Sequence, residues 1–191
     1  MEVKEDITAR EYFEEIVPKI FEEQMSSTTV LGMEGTEFSI QFDIVGGEKQ
    51  TYGLVIKDAR ELEVVAGPAK DPVVRVELSE DVWRAAVTGK LEGAVDMFTD
   101  MGQMADRSRL DQIKTLSGAL TLDLSRPDGT SVSVKVSFNG AESPGTTFKA
   151  SLEDYAAIAK GELAGVNAFM SGKLKIEGDM PFAMALSNIV A

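Results

Sequence analysis

The residues best spaced for acid–base chemistry are two pairs of adjacent carboxylates, Glu80–Asp81 and Glu153–Asp154. General acid–base catalysis needs groups aimed at one reacting centre. Each pair instead follows a serine, Ser79 or Ser151, at the spacing of a helix N-cap, and neighbours on a helix point apart. Acids in a first turn favour the positive end of the helix dipole, so both pairs read as solvated first turns. The sequence has no His and no Cys. Ser–His and Cys–His nucleophiles, disulfides and the commonest zinc ligand are therefore excluded, and the redox compartment is left open. An enzyme built from this chain would have to use carboxylates, Lys, Tyr or Ser–Lys alone. Gly89-Lys90 and Gly172-Lys173 fail as phosphate loops. Arg84 and Asn167 stand where the first glycine belongs, and Leu91 and Leu174 where Ser or Thr should follow the lysine. No catalytic residue, metal or cofactor is expected.

A different chemistry is suggested by sulfur and rings. Of nine methionines, six fall in two segments, Met97, Met101 and Met104, then Met170, Met180 and Met184, with Phe98 and Phe169 beside them. Methionine is flexible and polarisable, and a wall made of it suits apolar ligands of variable shape. Singly, each methionine reads as a core filler; as two clusters they read as a lining. The segment Phe182-Ala183-Met184-Ala185-Leu186, continuing to Ile189 and Val190, has almost no polar face. Such a helix must be buried all round or face something apolar that is not protein.

The elements that would position these residues follow from periodicity. Residues 8–25 read as an amphipathic helix, with Thr8 and Glu11 at capping-box spacing and Pro18 predicting a kink or a break. The period then changes to two: Phe38 to Ile44, Tyr52 to Ile56, Leu62 to Ala66 and Val74 to Leu78 read as strands. Ser79 caps a helix carrying Trp83 that stops at Gly89, and Glu92 to Ala105 reads as helical. Strands recur at Leu120 to Leu124, Val132 to Phe138 and Thr146 to Ala150, followed by helices over 151–160 and 163–170. Leu174 and Ile176 alternate with Lys173, Lys175 and Glu177 in an edge strand, and Asp179 and Pro181 open the last helix.

The two halves overlay. Ser79 on Ser151, Trp83 on Tyr155, Ala85 on Ala157, Gly89 on Gly161, Leu91 on Leu163 and Gly93 on Gly165 share one offset of 72 residues. An internal repeat explains this better than a coincidence of caps. The segmentation read from it is an N-terminal helix over 1–27, a first unit over 28–105, a connector over 106–117 and a second unit over 118–191.

The tract Gly172-Lys173-Leu174-Lys175-Ile176-Glu177-Gly178-Asp179-Met180, with Ala168-Phe169-Met170 before it and Ala183-Met184-Ala185-Leu186 after it, resembles the sterol carrier protein type-two family. Thr88-Gly89-Lys90-Leu91 and the Phe38 to Ile56 strand pair are similar to other parts of that family, in a duplicated or extended order. The resemblance implies an α+β fold, a curved and mainly antiparallel sheet with helices on one face. It also implies an apolar tunnel between the layers that takes fatty acids, fatty acyl-CoA or sterols without a cofactor or catalytic residue. The expected ligand-binding residues are Met97, Phe98, Met101, Phe169, Met170, Leu174, Ile176, Met180, Phe182, Met184 and Leu186, with Trp83 read as core first and pocket wall second. Lys90, Lys173 and Lys175 read as surface lysines that could also meet a carboxylate at a tunnel mouth.

Charge bounds the partners. Nineteen Lys and Arg against 32 Asp and Glu leave a net charge of −13 in 191 residues, which disfavours nucleic acid and anionic membrane surfaces. Met1 to Asp6 is charged and reads as no signal peptide, and Met180 to Ala191 is too short to span a bilayer. Ile189-Val190-Ala191 is not a peroxisomal address. The expectation is a cytoplasmic carrier with an apolar lipid as partner, no stable membrane insertion, and a homodimer left open. A rival of another class is an interaction or oligomerisation module that keeps the fold and fills the pocket with its own side chains; a weaker one is a thioester hydrolase using carboxylates.

Overall fold

Pro18 decides the shape of the N-terminal helix. The computed structural model describes residues 3–28, 30–91 and 106–190, without the side chains of 187–190. Thr8 and Glu11 form the expected capping box at the start of α1 (Ala9–Glu11). A π-helical turn, Tyr12–Ile16, follows, closed by the Val17 amide donating to the Tyr12 carbonyl. It ends where α2 (Val17–Ser27) begins, with Pro18 in the first turn of α2. Proline removes a ladder donor and crowds the preceding turn, and a wider turn relieves both. The register slip keeps Tyr12, Phe13, Val17 and Phe21 on one buried face.

The strands are β1 (Glu37–Val45), β2 (Gln50–Lys57), β3 (Glu61–Val65), β4 (Val74–Ser79), β5 (Gly118–Ser125), β6 (Ser131–Phe138), β7 (Gly145–Ser151) and β8 (Leu174–Gly178). They form one eight-stranded sheet in the order β3-β2-β1-β4-β6-β5-β7-β8. β1–β4 and β5–β7 are parallel, and the other pairs are antiparallel. The fold is α+β, with helices α3 (Glu80–Val87), α4 (Arg107–Thr115), α5 (Leu152–Ala159), α6 (Gly165–Met170) and α7 (Met180–Val190).

One motif is built twice. A hairpin, β1–β2 or β5–β6, is joined on its first strand by a parallel strand, β4 or β7, which runs directly into a helix. The two parallel ladders end on Val45↔Ser79 and Ser125↔Ser151, and both serines cap the helix that follows. The halves meet where β4 pairs with β6, from Val74↔Phe138 to Leu78↔Val134. In the second unit the outer side of β7 is taken by β8 instead.

Alternation separates the two faces of the sheet. Even-numbered positions, among them Ile40, Phe42, Leu54, Val76, Leu122, Val134 and Val136, are buried in the core that packs with the helices. Odd-numbered positions form a polar face. There Asp43 is fully buried, accepting from Thr51 Oγ1 at 2.7 Å and Gln41 Nε2 at 3.2 Å, and from Arg75 Nε, with Lys49 at 3.5 Å. The crossover loop before β4 lies over this face at Gly53, where an added Cβ would stand 2.9 Å from the Ala69 Cβ.

The stretch 106–117, read from sequence as a connector, contains α4, capped by Asp106. Its polarity conceals a helix because it buries Leu110 and shows charge elsewhere. Arg107 donates to the Gly32 carbonyl at 2.9 Å, and Asn139 Nδ2 donates to the Leu116 carbonyl at 2.6 Å, so α4 ties the loop before β1 to the end of β6. The helix read over Glu92 to Ala105 lies outside the described residues.

Candidate functional site

α7 is anchored before it is exposed. Asp179 caps it, accepting from the Phe182 amide at 2.7 Å. Phe182 then lays its ring edge-on to Phe138, centroids 6.3 Å apart, and against Gly118. An added Cβ on Gly118 would fall 2.9 Å from that ring, at a backbone φ of +144°. Phe182, Ala183 and Leu186 make the buried face of α7, while Met180 and Met184, four residues apart, stand 41% and 65% exposed. Over 180–186 the exposed residues of this almost wholly apolar helix are Met180, Pro181 and Met184.

α6 repeats the pattern on a smaller scale. Ala168 is fully buried, and Val166, Phe169 and Met170, at i, i+3 and i+4, are 73%, 43% and 79% exposed. Among the described residues the large apolar side chains exposed to solvent are these three, Met180, Met184 and Leu31. Five of the six thus lie on the two helices that flank β8, both of which touch it. The sheet between the two helices is apolar and partly open. Phe148 on β7 and Ile176 on β8 are register partners on the helix-bearing face, and both are only partly buried. Toward α6 the ladder closes on buried Ala150 and Leu174.

Of the residues expected from sequence, Leu174 and Ile176 lie on β8, Phe169 and Met170 on the helix before it, and Met180, Phe182, Met184 and Leu186 on the helix after it. Phe182 and Leu186 are buried and hold α7 down, whereas Phe169, Met170, Met180 and Met184 are exposed. Trp83 stands elsewhere, 3% exposed, in the first unit, edge-on to Tyr12 at 5.8 Å and beneath the Arg84 guanidinium at 5.5 Å. Met97, Phe98 and Met101 lie outside the described residues. Sequence reasoning passed over Phe148 and Val166. Phe148 sits in a short strand with nothing to mark it, and only the β7–β8 register sets it beside Ile176. Val166 could have been found, since it shares a helical stripe with Phe169 and Met170.

The polar groups nearby are already engaged. Lys173 pairs with Asp154 at 2.7 Å, and Asp154 also accepts from the Ser151 hydroxyl. Those contacts, Lys173 foremost, hold the Asp154 carboxyl below the usual carboxylate range, and Asp154 in turn raises the Lys173 ammonium. Glu80 is taken by Arg84 at 2.9 Å, and Lys90 by Glu5 at 2.8 Å. Lys149 pairs with Glu177 at 2.7 Å on the opposite face of the sheet, where Lys175 also lies. The carboxylate pairs thus serve caps and ion bridges, and the floor of Phe148 and Ile176 offers contact area without a reactive group. Among the described residues no cluster of three acidic side chains is placed to hold a metal ion, and no helix is long and apolar enough to cross a membrane.

Residues 100–191 match the model of the SCP-2 sterol transfer family. The resemblance carried by the Gly172 to Met180 tract therefore holds over the half of the chain that contains β5 to β8 and α4 to α7. Among solved structures, the sterol carrier protein domain 2 of Helicoverpa armigera is 28% identical over 53% of this chain and 80% of its own, with a TM-score of 0.35. Sterol carrier protein 2 from Yarrowia lipolytica, in its apo form, is 19% identical over 59% and 94%, with a TM-score of 0.39. Sterol carrier protein 2 like 2 from Aedes aegypti is 26% identical over 38% and 72%, with a TM-score of 0.32. No curated protein matches the sequence.

Proposed function

We propose that this protein binds an apolar lipid, such as a fatty acid, fatty acyl-CoA or sterol, on the helix-bearing face of its second unit, and carries it without chemical change. The observation that carries the reading is the partly buried apolar floor of Phe148 and Ile176 beside two helices that expose Val166, Phe169, Met170, Met180 and Met184. Exposed apolar patches of this kind mark binding surfaces, and the methionines adapt to the shape laid against them. The ligand's chain lies on the floor, with Phe169 and Met170 at one side and Met180 and Met184 at the other. The family matched by this half is described by sterol transfer, which agrees with a site that offers contact area and no catalytic group.

Titration with a fluorescent fatty acid, displaced by an unlabelled one, tests this. Saturable binding near micromolar is expected, about −8 kcal/mol. No saturable signal at tens of micromolar, by order of magnitude, overturns the carrier reading. A second reading is favoured by the high exposure of Met170 and Met184: the same apolar stripes dock a protein partner or a second copy. Native mass spectrometry of protein purified from cells separates the two. A carried lipid mass supports the carrier; a clean apo mass, with no lipid uptake, supports the docking module.

A further inference from the structure

The two edges of the sheet differ in what an added strand would meet. β3 ends one side and β8 the other. On the polar face β3 presents Glu61 and Glu63, so a two-fold register centred on Leu62 or on Glu63 sets acid against acid. Like charges directly opposite repel, which protects that edge. β8 presents Lys175 and Glu177 on the same face, both exposed. An antiparallel two-fold centred on Ile176 sets the Lys175 of each copy opposite the Glu177 of the other. The backbone is turned for this. The Asp179 amide donates to the Gly145 carbonyl at 2.9 Å, and the Glu177 carbonyl accepts from the Thr146 hydroxyl at 3.1 Å. Antiparallel alternation then aims the backbone groups of Lys175 and Glu177 at β7, and those of Leu174, Ile176 and Gly178 at the free edge. Within its own chain Lys175 stands opposite Lys149, a like charge, and among the described residues it makes no ion pair.

We infer that two copies of this chain pair along β8, antiparallel about Ile176, so that their two sheets become one. Ile176 exchanges both of its outward hydrogen bonds with its counterpart, and Leu174 does so with the second copy's Gly178. Lys175 and Glu177 fall in the non-hydrogen-bonded pairs, where facing side chains come closest. On the helix-bearing face the two-fold sets Ile176 beside Ile176 and joins the two floors of Phe148 and Ile176. Because the strands run in opposite directions, α6, which precedes β8, comes level with the second copy's α7, which follows it. The exposed Val166, Phe169, Met170, Met180 and Met184 of each copy then flank the joint. A different partner would have to match both an alternating Lys–Glu edge and an apolar flank; a second copy matches both by symmetry. The inference goes beyond the carrier reading and stands apart from it, because the dimer needs no lipid and its test reads mass, not lipid uptake.

Sedimentation equilibrium of the full chain over a dilution series tests this, with thermal melts to show that each variant is folded. The joint is small, so a reversible dimer at about 10–100 μM is expected. Lys175→Glu sets acid against Glu177 at both symmetric positions, and Glu177→Lys sets lysine against Lys175. Each should raise the dissociation constant roughly tenfold or more. An equimolar mixture of the two variants should dimerise again, because the acidic edge of one then meets the basic edge of the other. A chain that stays monomeric throughout the series overturns the inference. So does a dimer that both variants leave intact, or a mixture of folded variants that stays monomeric. If either variant fails to fold, Ile176→Cys decides. The chain has no Cys, and a hydrogen-bonded pair across an antiparallel ladder has Cα atoms about 5.5 Å apart, within disulfide reach. A disulfide-linked dimer under mild oxidation, absent from Ser133→Cys at an exposed position of β6, supports the inference; no link, or equal linking in both, overturns it.

Discussion

At the scale of single residues, Phe182 and Met184 separate structure from binding although they are two positions apart on one helix. Phe182 is packed on Phe138 and Gly118 and carries α7, so Phe182→Ala should cost about 3–5 kcal/mol. Met184 is mostly solvent-exposed, and Met184→Ala should change stability by about 0.5 kcal/mol or less. The same substitution removes apolar contact at the proposed site and should weaken lipid binding by roughly tenfold, about 1.4 kcal/mol. Thermal melts and lipid titrations on both variants check this. Equal stability losses with unchanged affinity would return Met184 to the core. Asp43 offers a test on the opposite face of the sheet. Burial raises its carboxyl, and the hydrogen bonds from Thr51, Arg75 and Gln41 outweigh that and hold it below the usual value. A depressed carboxylate stabilises the fold above its unfolded pKa, and that stabilisation disappears as pH falls through the lower folded value. Asp43→Asn should therefore cost about 1–3 kcal/mol at neutral pH, with the gap to wild type narrowing below about pH 4. Denaturant melts of both proteins at pH 7 and pH 3 measure it; a gap that does not change with pH would show that the charge contributes nothing.

At the scale of elements, α7 is anchored by Asp179 and Phe182 at one end of the sheet, and removing it tests whether it belongs to the proposed site. Truncation before Met180 strips the cover from Phe138 and takes from α4 the helix it packs against. Loss of lipid binding and of solubility is expected; a truncated protein that stays monomeric, folded and fully binding would make α7 irrelevant to the site. The elements were largely legible in the sequence, because caps and periodicity are local signals. Thr8 with Glu11, Ser79, Ser151 and Asp179 cap the helices they were expected to cap. Pro18 predicted a kink or a break, but that the irregularity is a π-helical turn holding Tyr12 and Phe13 on one face depends on what those rings pack against. α4 was hidden because a mostly charged helix with one buried leucine has little periodicity to read. The site was half legible. The methionines and Phe169 stood out by type, whereas the floor needs the pairing of Phe148 with Ile176, which no local pattern encodes. Which of the α7 residues turn inward is likewise a property of packing: an apolar helix carries no polar face to orient it.

At the scale of the whole molecule, the two units share one sheet, and the seam is its best-buried part. β4 and β6 pair through Val76↔Val136 and Leu78↔Val134, and Val134 also faces Leu122 across β5. Val76, Leu122, Val134 and Val136 have no exposed surface. Neither unit can unfold alone without opening this ladder and wetting these side chains, so the 191-residue chain should melt in one transition although chains of this size often populate intermediates. Two probes test it. Trp83 emission follows the first unit, and far-ultraviolet dichroism follows all of the helices and strands; their midpoints should coincide. Val134→Ala removes two buried methyl equivalents at the seam and should cost roughly 2 kcal/mol, lowering both midpoints together by about 4–8 °C. If the Trp83 transition stays in place while the dichroism midpoint falls, the units are thermodynamically separate and the seam is only a contact. A joint shift would mean that the seam couples the two units, so that the well-buried ladder of the first lends its stability to the second, whose last two helices expose Met170, Met180 and Met184 to solvent.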